Sequence, residues 1–254
     1  MTTRTRWTRT VPLGVAAVLS IAGLGAAPSY AASDAEVYVI QGLPGRTVDV
    51  AIDGKTVGED IKTAAVAGPF EVGSGDREVT FSDDGEVLLE SMVTVKPKSS
   101  WDVVVHLPAE DETKPAVTVF RNDLDTVPKG KASLTVAHTA QVPPADIRVN
   151  GKVLFEDVAN GESLNLVVPV ATYKVAIVPA GKKEPVLLGP VDLTVTGGAL
   201  NRVYAIGDPE EKTMNVAVHV LPTGSSGSDK PSRVDTGTGG QAVGVPQLGS
   251  GLWR

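Results

Sequence analysis

Three histidines, His106, His138 and His219, are the side chains best suited to metal binding or general-base chemistry in this sequence, and they do not cluster along it. His106 follows Val105 and His219 follows Val218, each in a run whose alternate positions are Val or Leu. Alternation therefore turns both imidazoles to the opposite, wetter face of a strand. His138 ends a strand that opens the second half of the chain. A shared zinc site would need these residues to converge from different domains. Serine chemistry has no better setting, because no G-x-S-x-G elbow is present and no helix is predicted to follow one. The absence of cysteine excludes thiolate nucleophiles, thiolate metal sites and redox centres.

Carboxylates are plentiful, but most sit among turn residues, where Asp and Asn bond the backbone for structural reasons. Asp49 and Asp146 recur in matching contexts on the outer face of a strand, as a solvated face or a local salt bridge would place them. A hydrolase of polysaccharide or peptide would require a cleft between domains lined by acids such as Asp49, Glu110 or Asp146. No catalytic residue and no bound cofactor is expected. The metal candidate is Ca²⁺, held between the domains by Glu110, Asp111, Glu112, Asp123 and Asp125, since this hard cation gathers several oxygen ligands at once. No D-x-D-x-D-G loop accompanies them.

The elements that must position these residues form a repeat. Val48-Asp49-Val50-Ala51-Ile52-Asp53-Gly54-Lys55 matches Ala145-Asp146-Ile147-Arg148-Val149-Asn150-Gly151-Lys152 at an offset of 97 positions. Apolar residues alternate in both, as in a strand with one buried face, and both end in a two-residue turn signal of the type I′ hairpin. The same offset pairs Val37-Tyr38-Val39 with Leu134-Thr135-Val136 and Asp60 with Asp157. Later strands match with small changes of length. Each copy holds seven or eight short strands with no helical periodicity, which predicts two tandem immunoglobulin-like β-sandwich domains, an all-β fold. The expected organisation is a signal peptide at 1–31, a first sandwich at 32–127, a second at 128–221 and a flexible Gly/Ser/Pro-rich tail at 222–254.

Each copy resembles the bacterial domain of unknown function 4397, a family of exported β-domains common in actinobacteria and often found in tandem. The resemblance rests on the V-D-V-x-x-[DN]-G-K hairpin at residues 48–55, its looser copy at 145–152, the opening strand Leu134-Thr135-Val136-Ala137-His138, and Tyr204-Ala205-Ile206-Gly207-Asp208. The first copy departs from it, with Gln41 in place of His138 and no Tyr or Gly in residues 101–106. The resemblance implies fold and export and no activity.

Export is also read from the N-terminus. Arg4, Arg6 and Arg9 precede an uncharged run of apolar and small residues that ends in Ser29-Tyr30-Ala31, the pattern of a cleaved secretory leader. Its removal takes the formal charge from −7 to −10, which disfavours nucleic acid as a partner. The charge is uneven: residues 35–125 hold 18 acids and 8 bases, whereas residues 129–221 hold 9 of each. Leu221-Pro222-Thr223-Gly224 falls one residue short of a sortase signal and lacks the hydrophobic segment that should follow. No transmembrane segment is expected after cleavage. The expected role is a secreted or envelope-associated binding or adhesion module for a protein or polysaccharide ligand, with a surface spacer as the alternative and a cell-wall hydrolase as a further one.

Overall fold

In the computed structural model, residues 34–109 and 114–226 are described. The expected leader, the candidate ligands Glu110, Asp111 and Glu112, and residues 227–254 of the expected tail lie outside the described residues. Eighteen strands, and no helix, form among the described residues.

The first half comprises β1 (Asp34–Gln41), β2 (Thr47–Ile52), β3 (Lys55–Lys62), β4 (Val66–Gly73), β5 (Gly75–Asp83), β6 (Glu86–Val95), β7 (Ser100–His106) and β8 (Ala116–Asn122). After the short β9 (Val127–Pro128), the second half comprises β10 (Lys131–His138), β11 (Ala145–Val149), β12 (Lys152–Val158), β13 (Ser163–Pro169), β14 (Thr172–Pro179), β15 (Leu188–Thr194), β16 (Ala199–Ile206) and β17 (Asn215–Pro222). The last strand, β18 (Ser225–Ser226), pairs in parallel with β9. Regular pairing therefore continues past Leu221.

Each half is built from two four-stranded sheets in the same order. The first has β4-β1-β7-β8 and β3-β2-β5-β6; the second has β13-β10-β16-β17 and β12-β11-β14-β15. Within each pair of sheets the apolar residues of alternate positions close on a shared core, the sandwich-like arrangement that period-two patterning requires. Val37, Val39, Val50, Phe81 and Val103 fill the first core, and Leu134, Val136, Ile147, Val175 and Val203 the second.

Turn chemistry sets the β2–β3 and β11–β12 hairpins. Asp53 and Gly54 have φ of 50° and 75°, and Asn150 and Gly151 have 50° and 79°. Both central residues thus take the left-handed conformation that a type I′ turn demands and that Asp-Gly and Asn-Gly tolerate best. The side chains reinforce the turns, since Asp53 Oδ1 accepts from Glu78 N at 3.1 Å and Asn150 Oδ1 from Lys174 N at 3.0 Å.

A third apolar cluster lies between the two halves. Ile40 of β1, Val104 of β7 and Phe120 of β8 pack with Ala137 of β10, Tyr204 and Ile206 of β16 and Ala217 of β17. The central strands β1, β7, β10 and β16 of the sheets β4-β1-β7-β8 and β13-β10-β16-β17 are thus buried on both faces, one on their own core and one on the opposite sheet. Every residue of β16 is buried as a result.

Candidate functional site

Asp102 stands in the middle of β7, paired with Tyr38 on β1 and Phe120 on β8. Its neighbours Val103 and Val105 face the first core, so strand alternation aims its carboxylate across the seam between the halves. There it is fully buried. Four side chains meet it. Asn122 Nδ2 donates to Oδ1 at 2.7 Å, and the Tyr204 hydroxyl donates to Oδ2. His219 Nδ1 lies 3.0 Å from both oxygens, and because a carboxylate only accepts, this nitrogen carries the proton. Arg202 Nε is 3.7 Å from Oδ2.

The second half supplies three of these four partners. Arg202 and Tyr204 alternate with Val203 on β16, and His219 lies beside Arg202 on β17. The Arg202 guanidinium is held further by the Arg121 carbonyl, which accepts from Nη2 at 2.7 Å, and by the Phe120 ring, 5.4 Å away at its centroid. Tyr38 stacks on His219 at a centroid distance of 4.3 Å, and Phe120 meets Tyr204 at 5.8 Å. Burial, with Asp102 alongside, pushes the Tyr204 phenol well above the usual tyrosine range, so it keeps its proton and remains a donor.

This cluster pairs an aspartate with a histidine, as acid–base sites do, but among the described residues no serine hydroxyl hydrogen-bonds His219, and the group is sealed between two sheets. Its chemistry is that of a hydrogen-bonded ion cluster removed from water. A buried carboxylate without partners costs several kcal/mol, and this one is offset by three hydrogen-bond donors and a guanidinium. The arrangement fixes the register of one half on the other.

The other histidines lie near the same seam and are also buried, contrary to the wetter face expected for His106 and His219. The outer face of their sheets is covered by the opposite half. His106 Nδ1 donates to the Leu107 carbonyl at 2.9 Å, and Nε2 lies 2.8 Å from the Thr118 hydroxyl. Burial lowers the pKa of His106, with a smaller contribution from His138, and burial lowers that of His138 as well. The two imidazoles come from different halves, His106 from β7 and His138 from β10. No cluster of three or more His, Asp or Glu arranged to hold a metal forms among the described residues.

The recurring carboxylates have a structural use. Asp49 Oδ1 accepts from Asp60 N at 2.9 Å, and Asp146 Oδ1 accepts from Asp157 N at 3.0 Å. Asp60 and Asp157 have φ of 54° and 55°, and the β2–β3 and β11–β12 ladders both shift register beside them. Each aspartate thus clamps the same β-bulge in its own half. Asp146 also accepts from Gly181 N at 2.9 Å. Of the calcium candidates, Asp123 and Asp125 line a cleft of about 430 Å³ with Asp34, Glu36, Lys98 and Arg121, and Asp123 Oδ1 accepts from Asp125 N at 3.2 Å. The Leu221-Pro222-Thr223-Gly224 stretch is folded in, since Thr223 N and Gly224 N both donate to the Gly198 carbonyl.

Sequence reasoning also missed an apolar slot of about 290 Å³ in the second half, opening between the sheet-edge strands β15 and β17. Val175, Leu193 and Val203 of the second core form its floor, and Val216 and Val218 its β17 wall. Val218 is 42% exposed although its strand position faces inward with Val216.

The fold and seam define an all-β protein of two like halves, each a pair of four-stranded sheets. Residues 35–145 match the family model described as domain of unknown function (DUF4397), which spans the first half and runs into β11. No curated protein matches the chain.

Proposed function

We propose that this chain is an exported, non-catalytic binding module of the cell envelope, built from two tandem immunoglobulin-like sandwiches that the Asp102 cluster holds as one body. The observation that carries the reading is the open slot between β15 and β17. A concave, almost wholly apolar cavity of this kind is the usual form of a ligand site, and a surface spacer has no use for one. The acids that a hydrolase would need give less support, because Asp49 and Asp146 are each engaged by backbone N–H groups of their own half. The rigid seam suits binding, since it presents the surfaces of both halves in a fixed relation and lowers the entropy lost on association.

The test is binding of the labelled, purified full chain to isolated cell envelope. Saturable binding that unlabelled protein displaces is the expected result. A strictly linear, non-displaceable signal would leave the spacer as the better description.

A further inference from the structure

The cleft that holds Asp123 and Asp125 continues the seam face of β1, β7 and β8 beyond the Asp102 cluster. The ladders place its floor. Glu36 pairs with Ser100 and Ser100 with Asn122, two residues along from the row of Tyr38, Asp102 and Phe120 and therefore on the same face. Ser100 and Asn122 are each only 4% exposed. Asn122 Nδ2 donates to the Ser100 hydroxyl at 3.1 Å and to Asp102 Oδ1 at 2.7 Å. Oδ1, on the other side of the amide, has no hydrogen-bond partner among the described residues. A buried carbonyl oxygen calls for a donor, and Asn122 lines the cleft.

The rest of the lining says what kind of donor. Asp34, Glu36, Asp123 and Asp125 share it with Lys98 and Arg121, an excess of two acids, and no ion pair joins any of the six to another described residue. A cation that also donates hydrogen bonds fits such a lining. A chelated metal fits it less well, because no three carboxylates are arranged to hold one among the described residues. An ammonium meets both demands, with one positive charge and three N–H donors.

The chain itself supplies an ammonium. Cleavage after Ala31, where the leader is expected to end, makes Ala32 the first residue, and Asp34 both begins β1 and lines the cleft. Ala32 and Ser33 together extend at most about 7 Å, so the new α-amine stays within reach of the lining. In the precursor the same nitrogen is an uncharged amide with a single N–H, tied to the leader.

Resting on the export part of the proposed function, we propose that removal of the leader frees the Ala32 ammonium to seat in this cleft and donate to Asn122 Oδ1. Asn122 already bonds Asp102. The terminus thus joins the network that holds the two halves, and the body reaches full stability only after export.

The full chain, leader included, is expressed in a secreting host and the exported product is collected. Mass spectrometry should place its first residue at Ala32. Acylation of the α-amine near pH 7 should be at least about tenfold slower in the folded product than in the same product in urea, the equivalent of one pKa unit. D123N/D125N, which changes two exposed positions, should remove most of that protection. The product acylated at this amine alone should melt about 2–4 °C lower than the free product, and the difference should shrink in D123N/D125N. An α-amine that reacts as fast folded as unfolded, or a melt that its acylation leaves unmoved, overturns the proposal. So does a melt raised equally by millimolar calcium in the free and the acylated product, which would assign the cleft to that cation. A product that begins at another residue overturns the proposal and leaves export standing; a chain that is never exported removes both.

Discussion

Asp102 and Arg202 hold equivalent places in the two halves, each at the centre of a parallel strand pair with β1 or β10, and they meet across the seam at 3.7 Å. One position, occupied by opposite charges in the two copies, thus joins them. Such an ion pair is hard to remove by halves. Asp102→Asn leaves the Arg202 guanidinium buried without its countercharge, and unfolding in urea should show a loss of about 3 kcal/mol. Replacing both by apolar residues, as D102L/R202M, should cost less than the sum of the single changes, a coupling that a double-mutant cycle reads directly.

Tyr204→Phe removes only the hydroxyl that donates to Asp102, and a hydrogen bond to a charged group is worth about 2 kcal/mol. The phenol also carries a pH signature. Its folded pKa is raised, so the folded state holds a proton that the unfolded state loses above about pH 10, and stability falls with rising pH in that range. Ultraviolet titration should show one tyrosine ionising only as the protein unfolds, and Y204F should abolish that step.

His106 and His138 act at the other end of the pH scale. Burial depresses both below the ordinary value of 6.5. The unfolded chain therefore takes up protons that the folded chain refuses, and stability falls as pH drops below about 6.5 toward the folded values. Melting temperatures measured between about pH 7.5 and pH 5 should decline in the native chain, and the decline should be shallower in H106N/H138N.

The two bulge clamps differ in load. Asp146 serves two backbone N–H groups and Asp49 serves one. Asp146→Ala should cost about 2 kcal/mol and Asp49→Ala about 1 kcal/mol in denaturant unfolding, each orphaned amide contributing a comparable share. Equal losses would mean that the Gly181 contact adds nothing.

Much of the fold was written locally and could be read there. Asp53-Gly54 and Asn150-Gly151 announce their turns, and Val48, Val50 and Ile52 announce a one-sided strand. The bulge clamps were half legible. The recurrence of Asp49 with Asp60, and of Asp146 with Asp157, stood out, but a bond between residues eleven apart follows from a register shift that no period reveals. The seam was hidden for a different reason. Alternation says correctly that Asp102, His106 and His219 lie on the face opposite Val103, Val105 and Val218, but it does not say that a second sheet covers that face. The neighbouring apolar residues, Val104 beside Asp102 and Tyr204 and Ile206 around Ala205, were the available signal that both faces were buried. The slot was less legible still, because it opens between β15 and β17, edge strands of two different sheets that come together only in the folded chain.

The unity of the two halves is tested most directly by differential scanning calorimetry of the full chain. If the Asp102 cluster and the apolar residues around it join the halves, the native chain unfolds in one transition whose calorimetric enthalpy equals its van't Hoff enthalpy, and Asp102→Asn lowers that transition or splits it. Two separate transitions in the native chain, unmoved by Asp102→Asn, would contradict it.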